Sequence, residues 1–94
     1  MVMDGSGNLY VANFNSSDIS KVTSTGLVTT FATVGTNPVY IIMDGSGNLY
    51  TANYNSDNVS KVTSTGLVTT FATTGAFPHS MVRDPSGNIY VSNR

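Results

Sequence analysis

Ninety-four residues set the scale of one small domain with a modest core. Four cations (Lys21, Lys61, Arg83 and Arg94) against five aspartates give a net charge of −1 and form no basic patch, which excludes nucleic-acid binding by phosphate neutralisation and adhesion to an anionic membrane. There is no Cys and no Glu, so disulfides and thiol chemistry are excluded, and no apolar run approaches the length of a membrane span. A cysteine-free chain suits the periplasm or the exterior as well as the cytosol. An extracellular or periplasmic setting is the expectation adopted here.

The chain opens on a short apolar strand at 1–4, followed by the segment DGSGNLY from Asp4. The same segment returns at Asp44, and DPSGNIY begins at Asp84, so the period is 40 residues. Positions 4–43 and 44–83 are identical at 27 of 40 places, and SKVTSTGLVTTFAT stands unchanged at 20–33 and 60–73. Three further strands are expected up to residue 33. The unit from Pro38 spells out the pattern. PVYIIMD (38–44) is an apolar, β-branched strand, and Gly45-Ser46-Gly47 reverses it, with the Asp44 carboxylate bonding the turn amides. NLYTANYN (48–55), VSKVTS (59–64) and LVTTFAT (67–73) are the next three strands, separated by Ser56-Asp57-Asn58 and Thr65-Gly66. Two more strands follow in 78–93. Helical 3.6-residue periodicity is missing throughout.

Four short antiparallel strands per 40 residues match one blade of a β-propeller. The outer strands carry apolar or small residues on both faces (Leu67, Thr69, Phe71 on one, Val68, Thr70, Ala72 on the other), as expected where both faces meet neighbouring blades. A β-solenoid is the rival, but its repeats are shorter and lack three tight reversals. The predicted architecture is therefore all-β: about 2.5 blades, namely 1–33 with a short first strand, 34–73, and the two inner strands of a third at 74–94.

The unit P-V-Y-I-I-M-D-G-S-G-N-L-Y-T-A-N resembles the NHL repeat, at Pro38, Asp44, Gly47, Asn48, Tyr50 and Asn53. Nearly the whole chain shares the resemblance, which also extends to streptogramin (virginiamycin B) lyase-like and gluconolactonase-like propellers. It implies the fold. It says little about function, since the matching residues are turn formers and core residues. The enzymes it brings to mind rely on His and Glu in the channel. This chain has no Glu, and its single histidine has no counterpart in the other unit, which argues against carrying either activity over.

His79 stands where the preceding unit has Val39, as a channel-mouth base or ligand, or as surface variation where a strand begins. One His without Cys or Glu does not make a metal cage, so no metal and no cofactor is expected. DGSGN has the composition of part of a calcium loop but lacks its further carboxylates, and reads as an Asp-stabilised turn. Tyr10, Tyr50 and Tyr90 recur at one phase and read as inter-blade core rather than an aromatic binding ladder. Asn37, Tyr40, Phe77 and His79 are the candidate ligand-facing rim. The loops 34–38, 74–78, 15–18 and 55–58 would share one end, the usual place for binding on a rigid scaffold. Two glycosylation sequons, at Asn15 and Asn58, matter only in a secreted eukaryotic setting.

The last half-blade leaves an open strand edge, and open edges pair with other chains. Residues 81–94 hold the same phase as 1–14, so one chain's 78–93 can complete the outer strands of its neighbour. Three chains would then give six blades and four would give eight, or the contact would propagate as a filament. The expected function is a non-catalytic scaffold, binding or self-assembling, completed by other copies or by further blades of a longer protein. Its partners would be copies of itself, head to tail, or a protein or glycan at the loop face. A fragment of a lyase- or lactonase-type propeller enzyme, and a filament subunit, are the alternatives.

Overall fold

The computed structural model describes Met1–Arg94 and consists of strands and turns alone. In chain order these are β1 (Val2–Met3), β2 (Leu9–Asn13), β3 (Asp18–Val22), β4 (Val28–Thr33), β5 (Pro38–Met43), β6 (Leu49–Asn53), β7 (Asn58–Val62), β8 (Val68–Thr73), β9 (Pro78–Arg83) and β10 (Ile89–Asn93). Neighbouring strands pair antiparallel in three sheets: β1-β2-β3-β4, β5-β6-β7-β8 and β9-β10. The number and order of strands agree with the sequence reading. The ends are tighter. The expected strand 48–55 pairs only over Leu49–Asn53, because the amides of Tyr54 and Asn55 turn away to bond Asn37 O and Thr36 O.

Each first reversal is built on an aspartate. Asp44 Oδ1 accepts from the amides of Ser46 and Asn48, while Oδ2 accepts from Asn48 Nδ2 and the Tyr50 hydroxyl, at 2.9–3.0 Å. Gly47 takes φ +85, a conformation that a side chain would strain. The same four bonds recur at Asp4 and at Asp84. The turn thus locks its own tyrosine, and the tyrosine is the second residue of the following strand.

Packing explains why apolar residues fail to alternate. The inner strands of the middle sheet are covered on both sides, and all five residues of β6 are buried. Leu49, Val62 and Ile41 join Tyr10, Ile19 and Ala32 in a core shared with the first sheet. Tyr50, Ala52 and Val59 join Met81 in a second core against β9. Polar β6 residues in this setting need internal partners: Thr51 Oγ1 donates to Asn53 Oδ1, and Asn53 Nδ2 to Asn58 Oδ1 and Ser60 Oγ.

The outer strands depart from expectation. Leu67 and Phe71 of the fourth-strand segment are 63% and 47% exposed, so its two faces are not both covered in this chain. A register shift lies between Val59 and Ser60, where Phe71 is skipped in the pairing of β7 with β8, and the same shift recurs at Ile19/Ser20. A bulge of this kind re-aims a side chain. Phe31 and Phe71 accordingly lie edge-on to Tyr10 and Tyr50, with ring centroids 5.2 and 5.1 Å apart.

Candidate functional site

Two kinds of loop meet at one end of the sheets. One kind is the reversal after the second strand of each sheet (residues 14–17 and 54–57). The other is the connection between sheets (34–37 and 74–77). Hydrogen bonds tie them together. Val34 N donates to Ser17 O, and Asn37 N to Ser17 Oγ at 3.1 Å. Across the next junction Thr74 N donates to Asp57 O, and Phe77 N to Asp57 Oδ1 at 3.0 Å. Ser17, Asn37, Asp57 and Phe77 all adopt positive φ, between 53° and 56°. Asparagine and aspartate tolerate that region, whereas for a bulky phenylalanine it is a strained conformation held by its surroundings.

The connection 34–37 runs so close to the second sheet that a side chain on Gly35 has no room. A Cβ there would lie 2.5 Å from Asn53 Nδ2 and 2.6 Å from Ser56 Oγ. The absence of a side chain allows Gly35 N to reach Ser60 Oγ and Thr36 N to reach Ser56 Oγ.

The rim residues fall into two groups. Asn37 is committed to the loop framework: its Nδ2 donates to Phe14 O at 2.8 Å, and its Oδ1 accepts from Asn55 Nδ2. Tyr40 lies within β5 and is 40% exposed, beside a recess of about 180 Å³ with Met1, Val11, Ala12, Val39 and Ile41. Phe77 is 44% exposed and stacks on Tyr54, centroids 4.9 Å apart and planes 28° apart. His79 is exposed, with Nδ1 3.3 Å from Ser92 Oγ on the neighbouring strand. Tyr54 links the groups, since its amide donates to Asn37 O and its ring carries Phe77. The sequence reading treated Tyr54 as strand. Its signal was an aromatic residue directly after β2 and β6 alike, Phe14 and Tyr54.

This end of the molecule offers aromatic faces, amides and hydroxyls. The carboxylates, those of Asp4, Asp44 and Asp84 in the turns at the opposite end included, are occupied by backbone and side-chain donors. Asp4 is lowered to about 2, chiefly by the Asn8 side chain and amide. At Asp44 burial pushes upward, but the Asn48 side chain and amide, the Tyr50 hydroxyl and the Ser46 amide outweigh it and hold the group below its ordinary value. Asp84 is lowered by Asn88, and Asp18 by Ser16 and then Asn13. Tyr10 and Tyr50 are raised, first by burial and then by the carboxylate each one bonds. No three His, Asp, Glu or Cys side chains converge.

No protein-family model matches the sequence, and no curated protein does. Solved structures do match in shape. Virginiamycin B lyase from Staphylococcus aureus superposes with a TM-score of 0.85 over 98% of this chain, at 14% identity. A catalytically inactive variant of that enzyme with quinupristin gives the same values, and a streptogramin B lyase gives 0.84 at 15% identity. The chain is a section of a β-propeller. It spans about a third of the length of these proteins, 32–33%. The sheets are therefore blades, two of four strands and one of two, and the loops above lie at one end of the propeller.

Proposed function

We propose that this chain is a non-catalytic propeller scaffold: a binding or self-assembling structural module, completed by other copies or by further blades of a longer protein. The observation that carries this reading is the employment of its acids. All five aspartates accept hydrogen bonds that shape turns or loops, and the four whose ionisation is displaced are all displaced downward. A general acid at neutral pH needs a carboxyl pushed upward, and a general base needs a free proton acceptor beside the substrate. The lone imidazole of His79 faces a serine rather than a carboxylate.

What remains is recognition. The Tyr54–Phe77 pair, with exposed Tyr40 and His79 on the strands that follow the two connections, suits a protein or glycan surface that stacks on rings. The likeness to lyases favours the second reading, in which an enzymatic site is completed by blades beyond this third of the propeller. Quinupristin tests whether this section carries a catalytic site of its own. Incubated with the 94-residue chain and followed by liquid chromatography with mass detection, it should persist as it does in buffer. Turnover that disappears in His79→Ala would overturn the scaffold reading.

A further inference from the structure

The two-stranded blade repeats the inner half of the others and lacks what their outer strands supply. Tyr10 and Tyr50 are 8% and 6% exposed beneath Phe31 and Phe71, whereas Tyr90, at the same phase, is 57% exposed. Asn13 Nδ2 donates to Asp18 Oδ1 and Ser20 Oγ, and Asn53 Nδ2 to Asn58 Oδ1 and Ser60 Oγ. Asn93 sits at that phase on β10, which has no outer neighbour. The amides of Gly35 and Thr36 reach Ser60 and Ser56, and those of Gly75 and Ala76 have no equivalent serines. A groove of about 250 Å³ lies open along Met81, Val82, Tyr90 and Val91.

Two surfaces in the chain carry the missing groups: β3–β4 with the turn before it, which brings Ser16, Asp18, Ser20 and Phe31, and β7–β8 with their counterparts; of the two, only β3–β4 stands behind a first strand as short as β1. We infer that β9–β10 of one chain takes the β3–β4 hairpin of a second copy as its outer strands, displacing that copy's own β1 and β2. This rests on the scaffold reading above and names its partner. The register follows from the existing ladder, where Leu9, Tyr10, Val11, Ala12 and Asn13 face Val22, Lys21, Ser20, Ile19 and Asp18. Ile89, Tyr90, Val91, Ser92 and Asn93 then face those same five residues of the second copy. Phe31 of the second copy covers Tyr90, and its Asp18 and Ser20 accept from Asn93. Ser92 replaces an alanine opposite Ile19, but its hydroxyl already has His79 as a partner.

The exchange has a direction. β1 pairs with β2 only at Val2 and Met3, while β9 pairs with β10 along its length from Pro78 to Arg83. The incoming half-blade is the longer ladder: Tyr90 takes the place of the displaced Tyr10 under Phe31, and the gain is the fuller pairing of β9 over that of β1. Simple pairing of β10 with another β10 would complete the edge too, but would leave Tyr90 without its phenylalanine and Asn93 without its acceptors. The contact is heterologous, so it continues from copy to copy until rotation closes it. Each chain adds two blades, and three or four chains fall within the usual size of propellers.

Cysteines test the register directly, in a chain that has none. Paired antiparallel residues lie about 4.5–5.5 Å apart at Cα, within disulfide reach. Val91→Cys combined with Ser20→Cys, mildly oxidised, should give mostly disulfides between chains, mapped by mass spectrometry to 91–20. Val91→Cys alone should stay uncrosslinked. Absence of the 91–20 bond, or crosslinking by Val91→Cys alone, would overturn the exchange. Should the double variant misfold, hydrogen exchange on the unaltered chain decides. Amides of 2–13 exchanging fast while those of 89–93 are protected support it, and the opposite pattern overturns it. Either failure leaves the scaffold reading standing, because only turnover of quinupristin removes that.

Discussion

Asp44 concentrates the residue-scale chemistry of this chain. One carboxylate closes a reversal, orients Asn48 and holds a tyrosine hydroxyl that would otherwise enter the core without a partner. Its role was legible in the sequence because DGSGN recurs with a tyrosine at a fixed offset. The direction of its ionisation follows from the bonds. A folded-state pKa below the unfolded value stabilises the fold above the ordinary carboxylate range, and this stability is lost as pH falls through the folded value. For Asp4 that window runs from 3.8 down to about 2, and Asp44 and Asp84 shift in the same direction. Thermal midpoints should therefore hold from neutral pH to about pH 5 and fall steeply below about 4. Asp44→Asn should lower the neutral-pH midpoint and flatten the acid limb, and an unchanged limb would contradict the role given to the turn. Other residue-scale features were not legible. Positive φ at Asn37 is in character for its type, but nothing about Phe77 announces it. That conformation is imposed by the Asp57 carboxylate on its amide and by Tyr54 under its ring.

Between residue and molecule stand the strands and their connections. The ten strands could be read because glycine, proline and Asn/Asp punctuate short β-branched runs. The bulges could not, since SKVTSTGLVTTFAT gives no sign that Phe31 and Phe71 are skipped in the ladder. The outer strands were expected to be covered on both faces, and Val28, Leu67 and Phe71 are exposed because no neighbouring blade reaches them in this chain. Tyr90 was grouped with the core tyrosines and is exposed for a related reason: its blade lacks outer strands. The connection at Gly35 carries the most specific prediction at this scale. Gly35→Ala drives a Cβ to 2.5 Å from Asn53 Nδ2, on a side chain with buried bonds of its own. Overpacking of this kind costs about 1–3 kcal/mol. Gly45→Ala, whose Cβ meets nothing within 4 Å, is the control and should be near neutral. Urea unfolding of the two variants should separate them by at least about 1 kcal/mol. Equal midpoints would mean that the connection is not held as tightly as drawn.

At the scale of the molecule, a short repeat with both faces apolar is stable only in a stack. The middle blade shows this, with β6 wholly buried between two neighbours. The flanking blades keep exposed what the middle one half-buries or buries at the same phase: Met3, Val82 and Tyr90 against Met43, Ile42 and Tyr50. Sequence was sufficient for the architecture because the 40-residue period imposes it. It was insufficient for the loop face, because Tyr54 and Phe77 meet across a blade junction from positions 23 residues apart. The central claim is that copies of this chain complete one another's blades in a larger ring. Static light scattering on the 94-residue chain, across a range of concentrations, tests it most directly. The expected mass is three or four times 9.9 kDa, or larger if the ring stays open. A stable, soluble species that remains at 9.9 kDa at every concentration would contradict it.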